Sequence, residues 1–281
     1  MIEVEDLTFS YTNKPFIEHQ NFSVDEGEIF GFLGPSGAGK TTLQKILTGL
    51  IPTYRGKASI NGMECKKHPK GFYENIGVDF EFSTLYEKLT ARENLRFFAS
   101  LYEKHPCRPE TLLEAVNLQN DMDKKVSEYS KGMKSRLNFI KALLHDPAIL
   151  FLDEPTSGLD PTSSHLMKEM ILKEKSQGKT LILTTHNMLD ATELCDKVAF
   201  IVNGKICAMD SPHNLIMSKG AAAVRYSYYE KGERNKECKL SETAKEEKLQ
   251  ELIKTNGLLS IHSEEPTLND IFIELTGRTL Q

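Results

Sequence analysis

Gly34-Pro35-Ser36-Gly37-Ala38-Gly39-Lys40-Thr41-Thr42 has the spacing G-x-x-x-x-G-K-[ST], and its surroundings decide how it is read. Glu28 to Leu33, just before it, reads as a strand; Gly39 to about Leu47 has helical spacing, and Gly49 is placed to stop that helix. A strand that turns through glycines into a helix N-terminus is the context in which this spacing holds phosphate. The glycines let backbone N–H groups wrap a phosphate chain at the helix end. Lys40 adds a charge on the β and γ phosphates, and Thr41 offers a hydroxyl to magnesium. A glycine-rich turn with a chance lysine is the bland alternative, and the strand-to-helix context argues against it.

Such a loop alone leaves kinases, GTPases and helicases open. The second half of the chain narrows the choice. Ile149-Leu150-Phe151-Leu152-Asp153-Glu154 closes a continuous apolar run, the mark of a strand buried on both faces of a parallel sheet, with two acids. Two carboxylates at the end of a buried strand are costly without a cation nearby. Asp153 is therefore the candidate magnesium ligand, and Glu154 the candidate that orients and deprotonates water.

The rest of the chain is organised around these two motifs. Residues 2 to 11 alternate as a strand, and further strands are predicted at Lys57 to Ile60, Ile76 to Phe80, Ala148 to Leu152, Thr180 to Thr185 and Val198 to Val202. Thr90-Ala91-Arg92-Glu93 has capping-box spacing and opens a helical stretch over about 90 to 146. Asp160-Pro161 supplies an N-cap and first-turn proline for a helix ending near Gly178, and Asn203-Gly204 fits a tight turn into Lys205 to Met209. Strands alternating with helices predict an α/β sheet covered on both faces. Beyond about residue 216 the composition shifts: two polar strands over Ala223 to Lys239, a charged helix over Ser241 to Thr255, a strand over Leu258 to Ser263, and an amphipathic helix over Thr267 to Leu275.

At 281 residues the chain has room for one large core and a small appendage. With 35 basic and 40 acidic residues, net charge −5, nothing points to nucleic acid as a partner. The five cysteines (Cys65, Cys107, Cys195, Cys207, Cys238) are scattered and odd in number, and read as reduced thiols. The acidic start, Met1 to Asp6, is unlike a signal peptide, and no apolar run approaches the roughly 18 residues that span a bilayer. Any membrane role would then belong to another chain.

Tyr129-Ser130-Lys131-Gly132-Met133-Lys134-Ser135-Arg136-Leu137 resembles the signature motif of ABC ATPases. Also similar to that family are the Ser157-Gly158-Leu159-Asp160 loop after Glu154 and His186, the lone histidine that ends the next strand. With the phosphate loop, these motifs cover residues 1 to about 215 in the family's order. The resemblance implies an α/β P-loop NTPase of ABC ATPase type: a mixed sheet core, N-terminal antiparallel strands, and a helical subdomain over about 82 to 147. Residues 216 to 281 would form a small α+β extension. It implies ATP and Mg2+ as ligands, Glu154 as general base and His186 at the γ-phosphate. Ser130, capping the helix that starts at Lys131, would aim it together with Gly132 at the nucleotide of an opposite copy. Asp160, in the loop after Glu154, is implied as a nucleotide-binding residue, and Tyr11 matches the aromatic that stacks on adenine. The implied partners are a second copy or a similar cassette and an integral membrane permease, which places the chain on the cytoplasmic face of the cell membrane.

Two positions depart from the family pattern. Lys131 stands where glycine is usual, and a cation there is within reach of phosphate. Glu81 stands where the loop after Ile76 to Phe80 usually carries a magnesium-binding glutamine; either it replaces that glutamine or the loop is shifted by a residue. The tail Glu265-Pro266-Thr267-Leu268-Asn269-Asp270-Ile271-Phe272-Ile273-Glu274-Leu275-Thr276-Gly277 resembles the C-terminus of single-cassette ATPases in the antibiotic, bacitracin and multidrug or sodium export branch. That favours an exporter, with the last helix either capping the dimer or regulating it. The rival is a soluble ABC ATPase of cofactor assembly or another non-transport system.

Overall fold

The structure, a computed structural model, describes residues 1–80, 84–104, 106–218, 223–230 and 232–277. They fall into two compact units, residues 1–209 and 210–279. The first begins with β1 (Ile2–Phe9) and β2 (Ile17–Val24) and passes through β3 (Ile29–Leu33) into α1 (Lys40–Leu47). It then runs through β4 (Arg55–Ile60) and the two-residue β5 (Met63–Glu64) to β6 (Ile76–Asp79). Next come α2 (Ala91–Ala99), α3 (Pro109–Ala115) and α4 (Lys131–Lys141), followed by β7 (Ile149–Asp153), α5 (Pro161–Ser176) and β8 (Thr180–Thr185). The unit closes with α6 (Met188–Leu194), β9 (Lys197–Val202) and β10 (Lys205–Asp210).

Two sheets form. One has the order β2-β1-β4-β5 with antiparallel pairing; the other has the order β10-β9-β3-β8-β7-β6, in which β9, β3, β8, β7 and β6 run parallel. Every residue of β3, β7 and β8 is buried, as strands covered on both faces must be. The two sheets share one core, in which Phe22 of β2 lies 5.7 Å from Phe30 and 5.3 Å from Phe32 of β3, ring centroid to centroid. Leu43, Ile46 and Leu47 of α1 belong to the same core, which anchors the helix behind the phosphate loop.

Helix starts follow their caps. Thr90 and Glu93 make the full capping box of α2, Ser130 accepts from the Met133 N–H at the start of α4, and Asp160 accepts from the Ser163 N–H ahead of Pro161. The helical stretch expected over 90–146 is broken into three helices. Pro109 can only begin a new helix, and Asn117 at φ 55 leaves the right-handed region.

His145, just past α4, is buried, with its ring 3.8 Å from that of Tyr102 and Nε2–H donating to the Ile76 carbonyl at 2.9 Å. Burial pulls its pKa below the usual histidine range, against the opposing hydrogen bond to Ile76. Because the folded value is the lower one, this contribution is complete above the unfolded-state value, about 6.5, and is lost progressively as pH falls from there through the lower folded value. The denaturation midpoint is therefore expected to fall between pH 7.5 and 5.5 in the parent. His145→Gln should show a smaller fall over the same interval; an equal fall would remove His145 as the cause.

The second unit comprises α7 (Pro212–Met217), β11 (Ala223–Tyr229), β12 (Glu233–Lys239), α8 (Glu247–Lys254), β13 (Leu258–Glu264) and α9 (Leu268–Thr276), with an antiparallel sheet of order β12-β11-β13. Two features differ from expectation. β11 is not polar: Tyr226 and Tyr228 are buried against Leu249 and Leu252 of α8, with the Tyr226 hydroxyl donating to Glu246 at 2.8 Å. The charged helix is a 3-10 turn, Leu240–Lys245, and then α8, because Glu246 is extended at φ −76, ψ 92. No helix among the described residues is long and apolar enough to cross a membrane.

Candidate active site

Parallel strands bring their carboxyl ends to one edge, which is where α/β sheets bind ligands. Leu33 of β3 pairs with Thr185 of β8, and Asp153 of β7 pairs with Thr184, so the phosphate loop, Asp153, Glu154 and His186 all emerge side by side. The loop's shape needs its glycines. Gly34, Gly37 and Gly39 sit at φ 157, 77 and 112, and a Cβ on Gly34 would collide with the Ile201 carbonyl while one on Gly39 would press on Ile17. Residues Ser36 to Thr42, Glu154 and His186 line a cavity of 270 Å³.

Lys40 is 7% exposed, and its ammonium donates to the carbonyls of Gly34 at 2.6 Å and Pro35 at 3.2 Å, with the Glu154 carboxylate at 3.8 Å. It thus holds the loop's entry strand while its charge lies on the cavity. Thr41 donates from its hydroxyl to Asp153 at 3.2 Å, and Thr184 donates to the same carboxylate oxygen. A hydroxyl and a carboxylate in contact, with Glu154 adjoining, are a hard-oxygen set that fits magnesium.

Glu154 has φ 51, a left-handed backbone that costs a non-glycine residue energy and persists only where the surroundings impose it. Its N–H donates to the Thr184 carbonyl at 3.0 Å, which extends the β7–β8 ladder by one bond. Its carboxylate meets His186 Nδ1 at 2.9 Å and the His186 N–H at 3.4 Å. Glu154 and His186, the two expected to act in hydrolysis, are therefore in direct contact, with Lys40 on the other carboxylate oxygen.

The remaining predicted residues divide. Tyr11 is 60% exposed, and its hydroxyl lies 3.0 Å from the Thr42 hydroxyl, which sets the ring beside the phosphate loop. Ser130, Gly132 and Asp160 do not line the 270 Å³ cavity. They form a second group, in which Gly132 packs so tightly on Ser163 of α5 that a Cβ would clash, and hydrogen bonds from Ser163 hold the Asp160 carboxyl below the usual carboxylate range. The Lys131 ammonium lies over Gly158 of the loop after β7. Glu81 lies outside the described residues.

Two features were missed in the sequence. Phe16 lines the same cavity and lies tilted against Tyr11, with ring centroids 5.4 Å apart; it precedes β2, a strand whose alternation is masked by a buried Gln20. Asp79 ends β6 beside Asp153 and is held by the Asn138 amide of α4. Burial pushes its carboxyl up to about 7, with Lys141 and Asn138 drawing it down and Asp153 adding to the rise. A single acid in an otherwise strand-like run carries no motif by which to be found.

A glycine-lined loop between a buried strand and a helix, facing two acids across a parallel edge, defines a P-loop nucleoside triphosphatase. The family model described as ABC transporter matches residues 17–157, and the fluoroquinolones export ATP-binding protein of Mycobacterium tuberculosis (strain CDC 1551 / Oshkosh) is 45% identical over 284 residues, covering 100% of this chain and 94% of that one. The chain belongs to the ABC transporter family, as an ATP-binding subunit with ATPase activity. The Nod factor export ATP-binding protein I of Rhizobium etli is 33% identical over 298 residues, covering 100% of this chain and 94% of its own length. A solved ATP-binding subunit of an ABC transporter aligns with a TM-score of 0.70 at 32% identity, covering 78% of this chain and 93% of that one.

Proposed function

We propose that this chain powers export: paired with a second copy or a similar cassette, it binds and hydrolyses ATP at the cytoplasmic face of the cell membrane and drives a separate membrane-spanning permease. The observation that carries the reading is the convergence of Lys40, Thr41, Asp153, Glu154 and His186 at one strand edge, linked by contacts of 2.9 to 3.8 Å. Two relatives matched over the whole of this chain bear export in their names, which supports the direction of transport.

In this reading Gly34 to Thr42 cradle the triphosphate, Lys40 neutralises its β and γ phosphates, and Tyr11 stacks on adenine beside Phe16. Thr41 and Asp153 would hold magnesium, with Glu81 as a further oxygen ligand, and the metal would offset charge on the phosphate oxygens. Glu154 accepts a proton from the attacking water while His186 orients the γ-phosphate. Ser130 and Gly132 act in the opposite copy's site, through the positive end of α4, with Asp160 in the loop between the copies. A dimer completed this way explains why those three residues lie apart from the phosphate cavity of their own chain.

Purification of the tagged full-length chain from solubilised membranes tests the export reading. The expected result is a stoichiometric multi-helix membrane protein that stimulates ATP hydrolysis. Recovery from the soluble fraction alone, with an ATPase rate indifferent to membranes, would overturn it in favour of a non-transport ABC ATPase.

A further inference from the structure

Asp190, in the first turn of α6, is 4% exposed, and a carboxylate so far from water is costly unless donors meet it. One of its oxygens, Oδ2, accepts from the Thr156 hydroxyl at 2.6 Å and from the Asn187 side-chain amide at 3.0 Å, while Oδ1 faces the Lys168 ammonium of α5 at 3.4 Å. Thr156 belongs to the turn that opens with Glu154, whose carbonyl accepts from the Ser157 N–H at 3.0 Å. Asn187 directly follows His186. Its other side-chain atom, Oδ1, accepts from the Leu189 and Asp190 N–H groups, so both ends of the amide are fixed. One carboxylate therefore holds the chain two residues beyond Glu154 and one beyond His186, the two residues that meet at 2.9 Å.

We propose that Asp190 is a positioning residue for ATP hydrolysis: by binding Thr156 and Asn187 together, it sets the register between Glu154 and His186. The inference rests on the reading above, that these two residues act on the phosphates. The left-handed backbone at Glu154 needs its surroundings to impose it, and the Thr156 anchor is one of those constraints. Loosening it shifts the carboxylate relative to the γ-phosphate, and a displacement of an ångström is enough to cost up to about 100-fold in rate. The phosphate loop makes no contact with this carboxylate in the bonds described, so ATP affinity is insulated from the change.

The test is steady-state hydrolysis by the full-length chain, with ATP affinity measured separately. Thr156→Val, which removes the hydroxyl at nearly constant volume, should lower kcat about 10-fold and leave KM and ATP affinity within about twofold. Thr156→Ser, which keeps the hydroxyl, should recover kcat to within about twofold. Asp190→Ala, which removes the acceptor, should lower kcat as well, and Thr156→Val combined with it should fall little further, because both cut one link. If Asp190→Ala does not fold, the two Thr156 variants decide the question alone. Parental kcat in Thr156→Val would overturn the proposal. So would a loss shared with ATP affinity and thermal stability that serine does not relieve, which marks a merely structural role. Glu154→Gln is the control: its full activity would strike the underlying reading, whereas a dead Glu154→Gln beside a fully active Thr156→Val strikes this inference alone.

Discussion

Glu154→Gln is expected to lower kcat for ATP hydrolysis by about 10³-fold, within the range general-base removal commonly costs, while ATP affinity stays within about twofold. The amide preserves the shape of a side chain that is 11% exposed and held by His186 at 2.9 Å and Lys40 at 3.8 Å, so the turn after β7 should keep its form. What is lost is the capacity to take a proton. Single-turnover hydrolysis, read beside a titration with ATP, separates the two effects. Turnover near the parental rate would remove Glu154 from the chemistry.

The second large effect falls on binding. Lys40→Ala should weaken ATP affinity by about one to two orders of magnitude, since it deletes a charge-assisted bond to phosphate from a side chain that is itself buried. In this structure the ammonium also ties the Gly34 and Pro35 carbonyls, so the variant loosens the loop entry too. Unfolding followed by circular dichroism distinguishes a softened loop from a lost fold. Affinity unchanged in a folded Lys40→Ala protein would contradict the placement of the triphosphate on this loop.

Much of the site was legible because its chemistry is local in sequence. A glycine loop must sit between a strand and a helix, and the Ile149 to Glu154 run ends in acids because the strand ends there. The caps at Thr90, Ser130 and Asp160 were legible for the same reason: a side chain satisfies N–H groups two or three residues onward, so the signal lies within one short window.

What stayed hidden depends on partners distant in sequence. Gln20 fills an interior position of β2 because its amide meets the Gly204 carbonyl at 2.9 Å and the Ile206 N–H at 3.1 Å, which no periodicity reveals. Asp190 and Thr156 are 34 positions apart and carry no shared motif. α6 is only seven residues long, too short for a helical pattern to emerge against the strand that precedes it. The tyrosines of β11 were misread as polar because their hydroxyls mask large buried rings.

If the site is completed by two copies across the γ-phosphate, the molar mass of the Glu154→Gln protein measures it most directly. Multi-angle light scattering with and without ATP should give a monomer in the absence of nucleotide and a dimer in its presence. A further Ser130→Arg change, which places bulk and charge at the N-terminus of α4, should abolish that dimer with ATP affinity retained. A monomer under both conditions would contradict the account.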